Sequence, residues 1–440
     1  MKPRLLPIYF EPGRDGGFDT QLANLQTLLS ADAEFLLPVP LGAPLPECEA
    51  VVFPQLLGEA YRRVDDFRAF TVPVLVLTSE FATLSMWDWE IITYLKSEGA
   101  GERIVAPYHI DQTRTVLRAL AIRQQLRTSK FVVYQDDPGE GMQAPIFKRF
   151  YWWETECVQR MLEKFGIVIE KRSFKKLGAA AKEIADADAQ REWKAWNWPT
   201  TLPEASLNAA VKLYLAVKND IGEDPAVQGV GINCLNESYF SDCTPCLAWS
   251  MFYEQRGLIW GCEADIVSML TKLILHRSVG APTIMTNLYP FLMGQAALKH
   301  ERIADFPKVE GDPRNHILVA HCGYLGVVPP SFSTEWTLRP KVLAIVDEKA
   351  HAIDARLPEG PITLAKLHPD MRTMTVVEGE LTGYTQYPGS DCLNGGVIRV
   401  PDGHRLMTHL ASHHYLLMSG HHRGGIEAIG AVFGILAQIL

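Results

Sequence analysis

Residues 258–287 read LIWGCEADIVSMLTKLILHRSVGAPTIMTN, and this stretch decides the fold class. Leu258–Gly261 is a short apolar run of strand type. Cys262-Glu263-Ala264-Asp265 follows it. Ile266–Arg277 is an apolar stretch long enough for a helix, with Gly280 and Pro282 as stop signals. Thr283–Thr286 is a second strand-like run, ending at Asn287. Strand, helix and strand in this order form one α/β unit, and the same alternation extends outward on both sides.

On the N-terminal side, Leu5–Phe10, Ala50–Phe53, Val74–Thr78, Phe131–Tyr134, Ile167–Glu170 and Gln228–Cys234 read as strands. Helical stretches separate them, including Thr20–Leu29, Trp87–Lys96, Thr113–Arg127, Tyr151–Phe165, Lys175–Trp196 and Pro203–Ile221. Pro73 before Val74-Leu75-Val76-Leu77 suits the first position of a strand buried on both faces. Beyond Pro329 the pattern changes. Val342–Val346, Thr363–Leu367, Thr373–Val377 and Val397–Val400 are short β-rich runs between turn signals, as in a small antiparallel sheet or barrel. The expected architecture is α/β: two doubly wound parallel-sheet domains followed by a small β-rich C-terminal domain. The expected boundaries are 1–105, 106–280 and 281–440.

The composition bounds the function. The 440 residues are 47% apolar and 21% charged, as in a globular chain with a sizeable core. A net charge of −9 gives no footprint for nucleic acid. The N-terminus lacks a signal-type apolar region, and the apolar tail Ala428–Leu440, expected as a packed terminal helix, is too short to span a bilayer, so a cytoplasmic location is expected. The eight cysteines are then expected as thiols. Cys243-Thr244-Pro245-Cys246 has C-x-x-C spacing but lacks the second pair that a structural zinc needs.

Histidine points to the second half: twelve of thirteen lie at or beyond His276, and six fall between His404 and His422. Successive strand ends carry Asn236 and Glu237, Glu263 and Asp265, Asn287, and His321. Open α/β sheets bind ligands outside the carboxyl ends of their strands. Asp265 is placed to cap the following helix, whereas Glu263 has no such role. His413 and His414 precede an apolar run, and in an extended segment they point to opposite faces.

These residues carry a resemblance. Gly231-Ile232-Asn233-Cys234, then Cys262-Glu263-Ala264-Asp265, then a strand ending 24 positions after Glu263, with His321-Cys322-Gly323 and His413-His414, resemble the fucose isomerase-like family. The likeness in motifs covers residues 226–323 and 378–422, and is nearest to the L-fucose and L-arabinose isomerases. It implies an aldose–ketose isomerase that acts on an open-chain pentose or 6-deoxyhexose through a metal-assisted enediol. It implies Mn²⁺ or another divalent cation held by Glu263, Asn287, His321 and His414. Together with the strand-end residues, this makes Glu263, Asp265 and Asn287 the expected catalytic residues and Asn236, Glu237 and His413 the expected sugar contacts, with His413 also the alternative to His414 as metal ligand. It also implies a homo-oligomer, a trimer or hexamer, with no nucleic-acid or membrane partner. The departure is Asn287, where the family has a carboxylate: an amide can ligate through its carbonyl oxygen but cannot act as a base. That departure leaves two other readings open, a carbon–carbon lyase or transferase on a related sugar and a non-catalytic sugar-binding homologue. Cys234, Cys262 and Cys322, also at strand ends, are expected to shift the preference towards Zn²⁺ if they reach the metal.

Overall fold

The computed structural model describes residues 2–54, 59–80, 86–101, 103–136, 155–234, 242–291, 308–321, 324–340, 349–386 and 394–440. The chain divides into two compact units. The first comprises residues 1–127, 277–280 and 422–437, and the second comprises 128–276, 281–421 and 438–440. The helices Ile110–Leu126 and Arg423–Phe433 therefore belong with the first unit, and of the segments expected as middle and C-terminal domains only 128–276, 281–421 and 438–440 fall in the second. No helix among the described residues is long and apolar enough to cross a membrane.

The first unit is built on a parallel sheet. Its strands are β1 (Arg4–Tyr9), β2 (Glu34–Phe35), β3 (Val39–Pro40), β4 (Ala50–Phe53), β5 (Val74–Val76) and β6 (Ile104–Val105). They run in the order β2-β1-β4-β5-β6, with β3 also on β1. Ala50–Phe53 is fully buried, as expected of a central strand covered on both faces.

The second unit opens with a four-stranded parallel sheet. It comprises β7 (Lys130–Tyr134), β8 (Val168–Arg172), β9 (Val227–Ile232) and β10 (Ile259–Cys262), in the order β10-β9-β7-β8. The expected single helix over 175–196 is two, Phe174–Glu183 and Asp186–Trp196, because Ile184 and Ala185 are extended. On one sheet face Gly229, Gly231 and Gly261 leave room for Met269 of the helix Ile266–Val279. A Cβ on Gly261 would stand 2.4 Å from Met269 Cγ, and one on Gly231 would stand 3.2 Å from its Sδ.

The remaining strands are β11 (Thr283–Pro290), β12 (His316–Ala320), β13 (Glu335–Pro340), β14 (His351–Arg356), β15 (Gly360–Leu367), β16 (Thr373–Thr385), β17 (Gly395–Arg399), β18 (His414–Ser419) and β19 (Leu436–Ile439). Two expectations change here. β11 and β12, read as a continuation of the parallel series, pair antiparallel and belong to a sheet ordered β15-β18-β11-β12-β17-β16-β19. The reason is that an apolar run such as Thr-Ile-Met-Thr carries no signature of strand direction. The apolar tail also ends early as a helix: Arg423–Phe433 stops at Gly434, in left-handed backbone at φ 61°, and β19 follows.

β15 also pairs with β16, so six antiparallel strands close into a barrel. β13 and β14 form a separate ribbon. The expected strand at 342–346 lies outside the described residues. Buried His351 of β14 supplies the cap that Pro245 cannot give the helix Cys246–Arg256, its Nε2 accepting from Leu247 N at 3.0 Å. Thr244 Oγ1 donates to the His351 carbonyl. The C-x-x-C segment is thus a helix start that carries two buried cysteines, with Cys243 Sγ 3.4 Å from the Ala209 carbonyl.

The close approach at Gly261 is testable. Gly261→Ala is expected to destabilise by about 1–3 kcal/mol through overpacking against Met269, read as a melting-temperature fall of about 2–4 °C per kcal/mol. Combining it with Met269→Ala should recover part of that loss in a double-mutant cycle. Additive effects would show that the two side chains do not compete for the space.

Candidate metal centre

β10 ends at Cys262, and the next two residues, Glu263 and Ala264, both adopt left-handed backbone, at φ 54° and 56°. For a residue with a Cβ this conformation costs roughly 1–2 kcal/mol, and two in succession form a sharp turn. Asp265 N closes it by donating to Cys262 O at 3.1 Å. The turn leaves Glu263 5% exposed, beside His321 and His414.

His321 follows β12, where a pair of backbone hydrogen bonds with Tyr324 holds it: its N donates to Tyr324 O at 2.6 Å and its O accepts from Tyr324 N at 3.2 Å. His414 opens β18 and is fully buried. His321 Nε2 lies 3.5 Å from Glu263 Oε1, and His414 Nε2 lies 3.8 Å from Glu263 Oε2. One ligand atom from each of the three residues falls within a 4.8 Å cluster, which is a set that could hold a divalent metal ion.

The surroundings fix His414. Its Nδ1 is 3.0 Å from Asp265 Oδ2. The same oxygen accepts from Lys366 Nζ at 2.9 Å and from Ser268 Oγ at 2.8 Å. Asp265 Oδ1 accepts from Ser268 N at 2.7 Å and so caps the helix Ile266–Val279. Burial pushes the Asp265 carboxyl up, but the Lys366 ammonium and the His414 hydrogen bond outweigh it and hold the carboxyl below the ordinary range. An ionised Asp265 can only accept, so His414 Nδ1 is the donor, and Nε2 is the nitrogen turned towards Glu263. This is the carboxylate–histidine arrangement that orients metal-binding imidazoles.

The residues singled out in the sequence are placed unequally. Asp265 was expected to move a proton; its two oxygens are engaged in capping and in holding His414 and Lys366, so its place is a positioning one. Asn287 was expected at a strand end but lies within β11, paired across from His414 on one side and Ala320 on the other. Its Nδ2 donates to the Tyr289 hydroxyl at 3.2 Å, while its buried Oδ1 has no hydrogen-bond partner among the described residues. His413 and His414 do not point apart: their ring centroids are 4.3 Å apart. Burial draws the His413 imidazole down to about 3, with neighbouring His414 adding to the effect, so His413 is neutral at ordinary pH. Cys234 and Cys262 sit in the apolar core and are not in the described donor set, so neither of these two is placed to tune the metal. Asn236, Glu237 and Cys322 lie outside the described residues.

Lys366 does not stand out in the sequence, since a lysine inside a β-rich run reads as a solvent-facing position. A signal was present: Lys366 shares strand parity with Ile362 and Leu364, all of them buried.

No protein-family model matches the chain, and no curated protein matches it.

Asp265→Asn keeps an acceptor for the helix cap but removes the charge behind His414. It should weaken divalent-metal binding about 10–100-fold, as measured by competition with a chelator below the melting transition, and it should also lower the melting temperature, because buried Lys366 loses its carboxylate. Lys366→Met should cost about 3–5 kcal/mol by leaving a buried charge without its partner. Equal metal affinity in wild type and Asp265→Asn would sink the orienting role.

Proposed function

We propose that this protein is a metal-dependent aldose–ketose isomerase acting on an open-chain pentose or 6-deoxyhexose, with its centre at Glu263, His321 and His414. The observation that carries the proposal is the buried cluster of one carboxylate and two imidazoles, one of them oriented by Asp265. The resemblance in motifs to the fucose isomerase-like family supplies the reaction class.

The residues fit a divalent ion. Asn287 Oδ1, buried and without a partner among the described residues, stands across the strand pair from His414 and would add a neutral oxygen donor. Mn²⁺ is the ion the resemblance implies; the same donors also suit Fe²⁺ or Zn²⁺. Bound there, the ion would polarise the sugar carbonyl and acidify the neighbouring C–H. Glu263 is the carboxylate at the centre that can take up that proton and return it to the adjacent carbon. Asp265 keeps His414 in the ligating tautomer, and Asn287 orients without moving a proton. Burial of Glu263, His321 and His414 keeps bulk water from the exchange.

Asn287 also supports a second reading, a sugar-binding homologue with little or no turnover. Its neutral side chain leaves one carboxylate among the four donors, which lowers both metal affinity and acid–base capacity.

A panel of pentoses and 6-deoxyhexoses, assayed with added Mn²⁺ and product analysis by NMR, tests the reaction. Glu263→Gln should lower kcat/KM by about 10²–10⁴ while retaining the fold. Unchanged turnover in that variant would remove Glu263 from the chemistry. Asn287→Asp should bind the ion more tightly and, on the isomerase reading, turn over faster. Stabilisation by a sugar without turnover in either protein would favour the binding homologue. Elemental analysis of protein purified without added metal identifies the ion.

A further inference from the structure

Three parallel strands of the second unit end at one level. Tyr134 of β7 pairs with Ile232 of β9, and Ile232 pairs with Cys262 of β10. The next residues along these strands are Gln135, Asn233 and Glu263, all buried. Asn233 N donates to Tyr134 O at 3.3 Å, so the level is kept one step beyond the ladder. Neighbouring strands are about 4.8 Å apart, so Gln135 stands roughly two such spacings from the metal centre, a reach comparable to an extended open-chain sugar.

Side-chain alternation gives the face. Val132, Tyr134, Val230 and Ile232 enter the large apolar core. Gly229 and Gly231 lie on the other face, where a Cβ on Gly231 would stand 3.4 Å from Ala264 Cα in the Glu263 turn. Gln135 and Asn233 share parity with these glycines and so lie on the face that carries that turn.

Gln135 is only 5% exposed, and neither atom of its side-chain amide, Oε1 or Nε2, has a hydrogen-bond partner among the described residues. A buried amide left in this state weakens the fold, whereas an apolar side chain of the same length would not. Groups of this kind are retained where a ligand satisfies them, because a site built to bond a hydroxyl strongly rejects analogues without one.

We propose that Gln135 is a specificity-determining residue whose amide donates to and accepts from hydroxyls of a polyhydroxylated substrate, at the end of the molecule remote from the metal centre. This rests on the sugar reading of the site given above. The ligand class is a linear polyol or open-chain sugar, since one amide can meet two neighbouring hydroxyls, one by Nε2 and the other by Oε1.

The test compares wild type with Gln135→Met, a substitution of similar length without the amide. Both are loaded with Mn²⁺ and melted with and without a panel of pentitols and 6-deoxyhexitols. Without polyol, Gln135→Met should melt about 2–4 °C higher, because the unsatisfied amide is gone. At least one polyol should stabilise wild type, and its Kd should rise at least about 10-fold in Gln135→Met, the scale of one lost substrate contact. Mn²⁺ affinity should be the same in both proteins. An unchanged polyol response in Gln135→Met, or a fall in its melting temperature, would overturn the role of Gln135 and leave the sugar reading standing. If no polyol stabilises wild type, the sugar reading fails and this assignment fails with it.

Discussion

The second unit depends on one buried carboxylate. Asp265 accepts from its own helix at Ser268, from Lys366 of β15 and from His414 of β18. An isolated carboxylate in such a place is very costly, and so is an isolated ammonium. Each is tolerable because the other is present and because further donors share the charge. The helix after β10 and two adjacent barrel strands are thereby tied to a common point. The imidazole of His414 is set by that tie, with one nitrogen committed and the other left for chemistry.

The backbone beside Asp265 carries the second constraint. Glu263 and Ala264 occupy left-handed backbone that neither residue favours. Such conformations persist only where the surroundings over-determine them, and they concentrate at functional sites. Here the surroundings are identifiable: the Cys262 carbonyl bonded to Asp265 N, the capped helix beyond, and the glycine face that admits Met269. Had Glu263 served only the fold, glycine would meet the backbone need at lower cost. The retention of a carboxylate on a strained turn, facing two imidazoles, is the physical reason to regard the place as a site.

Much of this was legible in the sequence, for local reasons. Ala50–Phe53, Phe131–Tyr134 and Ile259–Cys262 are short apolar runs with clear punctuation, and Gly280 and Pro282 mark the end of a helix wherever it packs. Glu263, His321 and His414 stood out by residue type and position. What stayed hidden depends on contacts distant in sequence. The direction of β11 and β12 is set by β17 and β18, and barrel closure by the pairing of β15 with β16. Asp265 could be read as a helix cap, but its partners lie 101 and 149 positions away. Gln135 resembled any polar residue after a strand until its burial and lack of partners among the described residues were visible.

The barrel has a further consequence for His414. It stands directly after His413, and a shift of β18 by one position would bring His413 to the place that now pairs with Asn287. A shifted β18 would offer the wrong imidazole and turn Tyr415 and Leu417 out of the core that now buries them. In an open sheet an edge strand can make such an error alone. In a closed barrel β18 is bonded on both sides, to β11 and to β15, so a shift requires its neighbours to move with it. Closure therefore acts as proofreading during assembly: a chain that completes its barrel has, by the same act, chosen which of two neighbouring histidines meets Glu263.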